Sequence, residues 1–286
     1  MRRVPVVAIV RDSYIFAGTH MGGIIGLIWV PMLLLTVMGF FTFQRYYNDF
    51  IEAMAGSNPA VLGPSLLMML GYLLAALLLH AVMYVAVIQL ALGTRTAPAI
   101  AHFSFGPLEW RMFRAFLAFV GVMLALLIPA LVVGNAAQMV TSAHVPMLGS
   151  LLLLAAVYGA ILLAMPRFMA LLPAIAVNET APVLRRSWQL SEGNFWRLLA
   201  VLVGIFVPIL VLFTALEVAL TGRAPTPVTG TDQMQLIAGI MRARETLPLL
   251  SGLGFLVSPL VVGLFASASV SAWRALSEEP RTDITV

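Results

Sequence analysis

Six apolar runs, each long enough to cross a bilayer, occupy most of this chain, near residues 22–43, 64–92, 113–134, 148–173, 197–221 and 248–273. A helix needs about 20 mostly apolar residues to cross a hydrocarbon layer of about 30 Å. Inside that layer a helix satisfies its own backbone polar groups, which irregular chain cannot. The pattern predicts an all-α polytopic membrane protein with six transmembrane helices. Only 10% of residues are charged, against roughly 25% in soluble domains. The connections are short, so a single integral membrane domain over 1–286 is expected, with no soluble catalytic domain attached. The longest outer connection, 222–247, is expected to hold at most a small surface helix. The first run follows a basic start and lacks a small-residue cleavage site, so it reads as a retained helix and not a signal peptide.

The net charge of +4 gains meaning once it is divided between the two sides. All basic residues are Arg, a usage that fits GC-rich bacterial coding. One set of segments holds Arg2, Arg3, Arg11, Arg95, Arg111, Arg114, Arg167, Arg185, Arg186, Arg197, Arg274 and Arg281. The opposite set holds Arg45, Arg223, Arg242 and Arg244. Basic residues are retained on the cytoplasmic side, so both termini are expected there, in a bacterial inner membrane. The Arg residues cluster at membrane entry points, which favours anionic lipid as their partner and not nucleic acid.

A repeat underlies the six runs. Thr96-Ala97-Pro98 recurs as Thr180-Ala181-Pro182, about 84 residues later, and Arg11-Asp12-Ser13-Tyr14 resembles Arg185-Arg186-Ser187-Trp188. A glycine separates each such segment from its run: Gly18, Gly106 and Gly193. The expected unit is an interfacial helix on the cytoplasmic leaflet followed by a membrane hairpin, giving three parallel pseudo-repeats over approximately 1–92, 93–173 and 174–286. In the third copy Leu184, Trp188, Ser191 and Phe195 share one helical face, with Arg185, Arg186, Gln189 and Glu192 opposite. Gly193 is expected to end that helix and Asn194 to cap the next. An ordinary polar loop is the alternative, and Gly106-Pro107 interrupts the pattern in the second copy.

Pro31, Pro129 and Pro208 fall inside the odd-numbered spans and predict kinks that set helix shape, or that act as gates. Gly18, Gly22 and Gly26, and again Gly263, Ser267 and Ser271, recur every fourth residue. Such small-residue stripes let helices approach closely, within one chain or between two copies of it.

Reactive constellations are not evident. The chain has no cysteine. His80 lies in the middle of the second span with Tyr84 one turn away and reads as a packed, hydrogen-bonded histidine. His20, His102 and His144 fall in unrelated connections, and no metal motif appears. Glu217, near the outer end of span five, has no second carboxylate for acid–base work. No cofactor is implied, and a non-enzymatic protein is expected. Intramembrane charge is costly and so draws attention to Arg167, beside Pro166 near the inner end of span four. It is placed to bind a lipid phosphate, to pair with Glu179, or to snorkel to the headgroups.

From Arg167 through Pro173, Glu179, Pro182 and Arg185-Arg186-Ser187-Trp188 to Asn194-Phe195-Trp196-Arg197, the chain resembles a known family. This is the membrane domain attached to some bacterial glycerophosphodiester phosphodiesterases, together with stand-alone six-span inner-membrane proteins of similar pattern. The resemblance implies an all-helical inner-membrane protein. It carries no phosphodiesterase activity, because the catalytic barrel is absent from this sequence. It marks Arg167, Glu179, Arg185, Arg186, Ser187 and Trp188 as candidate functional positions. The expectations are that Arg167, Arg185 and Arg186 converge on an anionic lipid headgroup, that Trp188 and Trp196 anchor the interface, and that Glu179 is the competing structural partner. The expected function is binding of membrane phospholipid or of a membrane-protein partner, including a second copy, as a scaffold or accessory subunit. Transport of a lipid or small solute is the alternative.

Overall fold

A computed structural model of the chain describes residues 4–56, 58–95, 102–141, 146–177, 188–189, 191–222 and 233–277. Among them the regular structure is helical: α1 (Val6–Thr19), α2 (Met21–Gly56), a 3-10 turn (Pro59–Val61), α3 (Leu62–Leu92), α4 (Pro107–Thr141), α5 (Pro146–Ala176), α6 (Phe195–Thr221) and α7 (Gln233–Ser277). Five stretches are long and apolar enough to cross a membrane: Met21–Gly56, Pro59–Leu92, Pro107–Pro129, Phe195–Thr221 and Ile237–Ser277. The chain is a multi-pass helical membrane protein. In α5 the apolar stretch among the described residues is the shorter Ile161–Ala176.

Several helices outrun the apolar runs that announce them. The 36 residues of α2 extend through Arg45, Asp49 and Glu52, a length of about 54 Å at 1.5 Å per residue. Hydropathy marks only the apolar part. The helix itself continues because nothing breaks it before Gly56, and an Arg45–Asp49 pair at 3.5 Å spans one turn of the extension. Asn58 then turns the chain, its side chain accepting from the Ala60 N–H at 3.2 Å. Likewise α7 starts at Gln233 and runs through Pro248 and Pro259 as one 45-residue helix. The expected small surface helix before 248 is instead the first part of that long helix.

Each predicted interfacial segment meets a different outcome. In the first copy α1 is a separate helix, but it breaks from α2 at His20 (φ −106°, ψ 13°), and Gly18 lies inside it. In the second copy residues 102–106 are irregular. Pro107 takes the first helical position, where its missing N–H costs nothing. Glu109 reaches back to the Gly106 N–H at 2.8 Å, the acidic half of a capping box. In the third copy 181–187 and 190 lie outside the described residues. Gly193 turns the chain at φ 77°, as expected. Asn194 does precede α6, but its side chain makes no capping bond there. It accepts the Val4 N–H at 3.2 Å and ties down the N-terminal segment instead.

The buried core gathers at one end of the bundle. It joins Ile24, Leu27 and Ile28 of α2, Met83 and Ile88 of α3, Met112 of α4, Met169 to Ile175 of α5, Leu198 and Ile205 of α6, and Leu264 to Ala272 of α7. Helix α1 packs into the same end through Ile9, Ser13 and Ala17, all buried. Gly263 makes that approach possible, since a Cβ there would stand 2.7 Å from the Ile24 Cδ1 and 3.7 Å from the Ala17 Cβ. The Gly18–Gly22 stripe is different: a Cβ at either position meets nothing within 4 Å. The Gly263, Ser267 and Ser271 stripe packs within the chain at Gly263.

The prolines predicted to lie inside helices do so at Pro31, Pro129 and Pro208. Pro208 removes the N–H that would serve the Gly204 carbonyl. The Tyr14 hydroxyl of α1 stands at that place, 3.4 Å from the carbonyls of both Gly204 and Ile205.

Candidate functional site

Arg167 sits on α5 one turn after Leu163, and its Nη1 donates to the Leu163 carbonyl at 2.9 Å. The helix does not end there. It continues to Ala176, with Phe168 to Ala176 buried on every side. The guanidinium lies 3.7 Å above the Trp188 ring and 5.4 Å from that of Phe195. A guanidinium above an indole gains cation–π attraction. Among the described residues Arg167 makes no ion pair.

Of the residues the sequence singles out, the structure joins Arg167 and Trp188. Trp188 is about half exposed and Trp196 is 77% exposed, as suits rings at a membrane surface. One face of the Trp188 ring is taken by Arg167. Arg185, Arg186, Ser187 and Glu179 lie outside the described residues. Arg197, at the foot of α6, donates to the Val4 carbonyl at 3.2 Å. With Asn194 it holds both polar groups of one N-terminal residue.

His80 is bonded to its own helix, 2.7 Å from the Ala76 carbonyl. A carbonyl only accepts, so Nδ1 carries the proton. Its ring stacks near Tyr84, which contacts Phe116 and Phe265 edge-on. That is the packed histidine the sequence predicts. Among the described residues no three His, Cys, Asp or Glu side chains gather to hold a metal.

Further polar atoms, not anticipated from sequence, are shielded near the ends of α3 and α7. Arg274 reaches the Leu92 carbonyl at 3.4 Å, so the last turns of the two helices lie side by side. Gly93 ends α3 in the left-handed region and leads to Arg95. The Nη1 of Arg95, the Nε2 of His102, the Nε1 of Trp273 and the hydroxyls of Ser269 and Ser277 are shielded from solvent, without a hydrogen-bond partner among the described residues. Burial, then the nearby Arg95 charge, pushes the His102 imidazole below the usual histidine range, with the Glu109 carboxylate opposing. Glu109 is itself engaged, with the Gly106 N–H and, at 3.4 Å, the Ser104 hydroxyl. In the sequence this group left one trace, the i, i+4, i+8 spacing of Ser269, Trp273 and Ser277 inside an apolar helix.

No protein-family model, curated protein or solved structure matches this chain.

Proposed function

We propose that this is a non-enzymatic, six-span protein of a bacterial cytoplasmic membrane that binds anionic phospholipid at its inner face, as a scaffold or accessory subunit. The observation that carries this reading is the Arg167–Trp188 stack, a cationic fork on an exposed aromatic ring with no carboxylate on it among the described residues. Arg recognises phosphate by paired N–H donors, and the indole suits the headgroup layer. In this reading α5, 31 residues long, is the sixth crossing and α1 lies along the inner surface, which the exposure of Val7 and Ile15 supports. The Arg distribution supports cytoplasmic termini. Transport is the competing function. Against it stands the packing of Met112, Met169, Leu172, Leu198 and Ile205 into one buried core.

Arg167→Gln tests the reading. The variant, purified in mild detergent, is expected to retain several-fold less anionic phospholipid by mass spectrometry. Unchanged lipid together with a lowered unfolding midpoint overturns it in favour of an internal structural pair. Reporter fusions at Asn58 and Thr229 test the topology: both are expected to behave as exported.

A further inference from the structure

We propose a second, buried oxyanion site at the inner end of the bundle, formed by Arg95, Trp273 and Ser277, with Ser269 deeper and His102 at its rim. It does not rest on the lipid reading of Arg167. Unpartnered polar atoms are rare in folded proteins, because each one buried without a bond forfeits its hydration. Here five occur in two short segments, and two belong to side chains almost wholly buried: Ser269 at 0% and Trp273 at 3% exposure.

Their placement follows from the helices. Ser269, Trp273 and Ser277 succeed one another at successive turns along one side of α7. The same side carries Phe265, which touches Tyr84 of α3 and Phe206 of α6, so it faces the interior. The Arg274–Leu92 bond sets the last turn of α7 against the end of α3. Three residues beyond Leu92 comes Arg95, whose Nη1 is shielded from solvent and whose charge is felt by His102.

The donor set selects the ligand. Guanidinium and indole N–H groups only donate, which excludes a cation. The Ser277 hydroxyl, one turn from Trp273, donates to an acceptor beside it, whereas Ser269 lies about 12 Å back along the helix. Arg95 and Arg274 bring two positive charges, while Glu109, the acid coupled to His102, is committed to the start of α4. A compact, acceptor-only anion fits, and we assign the site to a phosphate group. The phosphate comes either from a lipid headgroup entering sideways or from a soluble phosphate compound entering from the inner aqueous side.

The test uses the full-length protein in neutral detergent and tracks its unfolding midpoint. One arm titrates inorganic phosphate against chloride at matched ionic strength. The other adds phosphatidylglycerol against phosphatidylcholine in mixed micelles. A midpoint raised in either arm is expected to need about tenfold more ligand in Arg95→Gln, one lost charge-assisted contact. A response to both ligands identifies a soluble phosphate source, and a response to phosphatidylglycerol alone identifies a headgroup. Ser277→Ala serves as second variant if Arg95→Gln does not fold, with a several-fold weakening expected. No shift with either ligand, or shifts that Arg95→Gln and Ser277→Ala leave unchanged, overturns the site. Loss of retained lipid in Arg167→Gln with an intact phosphate response would separate the two proposals.

Discussion

Adding one methyl group at Gly263 probes the contact that seats α1 and α2 on α7. In Gly263→Ala the new Cβ would stand 2.7 Å from the Ile24 Cδ1, whereas ordinary contact begins at 3.4 Å. Ile24 is fully buried, so its terminal methyl has no free space to swing into. Overpacking of this kind costs about 1–3 kcal/mol. Alanine returns about 0.8–1 kcal/mol of helix propensity, so the net loss is expected at about 0–2 kcal/mol. Ile24→Val deletes the clashing atom and alone costs about 0.5–1.5 kcal/mol. In that background Gly263→Ala should turn stabilising, giving a coupling of about 1–3 kcal/mol between the two positions. Equilibrium unfolding by SDS in mixed micelles measures all four proteins of the cycle. Additive effects, with coupling below about 0.5 kcal/mol, refute the proposed packing. Gly22→Ala is the internal comparison, since its Cβ meets nothing within 4 Å. It should be neutral or stabilising by up to about 1 kcal/mol. A loss there, with a change in oligomeric state, would instead mark the Gly18–Gly22 stripe as a face between copies.

Tyr14→Phe is expected to cost about 0.5–1 kcal/mol by leaving the Gly204 carbonyl without its hydroxyl donor, and to become neutral in a Pro208→Ala background that restores a backbone donor. Trp188→Leu should cost about 0.5–1 kcal/mol of the exposed cation–π stack and should weaken retention of anionic lipid in the same assay as Arg167→Gln. His102 has a lowered native pKa, so below an unfolded value of about 6.5 the unfolded chain binds its proton first. Stability should therefore hold above neutrality and decline as pH falls from about 6.5 towards the lower native value, a slope read from unfolding midpoints and reduced in His102→Gln.

Five of the six apolar runs coincide with helices long and apolar enough to cross a membrane, because burying apolar side chains in lipid leaves a direct trace in composition. They located helix ends poorly. Where α2 leaves the apolar run, its extension relies on ordinary helix continuity and an Arg45–Asp49 turn, neither of which hydropathy registers. The glycine markers had mixed success for a physical reason. Gly193 occupies a left-handed position that other residues resist, Gly106 precedes a proline start, and Gly18 is simply a helical residue. Arg167 was legible as a misplaced charge, but its stack on Trp188 was not, since the two lie 21 residues apart and meet only when α5 returns to the foot of α6. The Arg95–Trp273 group was invisible for a similar cause. Its members come from segments nearly 180 residues apart, and each alone reads as an ordinary surface or core residue.

The distribution of burial bears on how such a protein works. Most of the described buried residues lie at the hairpin feet: Ile24 to Leu35 and Leu79 to Ala91, Met112 to Phe116 and Ala164 to Ala176, Leu198 to Ile209 and Val262 to Trp273, with Thr42, Ala53, Ser65 and Leu253 as buried exceptions farther out. Nearer the hairpin tips large apolar side chains face outward, among them Leu66, Leu67, Ile128, Val132, Leu210 and Leu256. Between α6 and α7 the separation opens an apolar cavity of about 490 Å³ lined by Phe206, Leu210, Phe213 and Val257. Lipid tails are as apolar as these side chains, so the upper part of the bundle gains little by closing. Cohesion must come from the feet, where Gly263 permits close contact and where α1, Asn194 and Arg197 clasp the N-terminal segment. Both proposed anion sites lie beside this packed base. A phosphate held there would bridge hairpin feet that have few other polar links among the described residues, and its binding would tighten the region on which the rest of the fold depends.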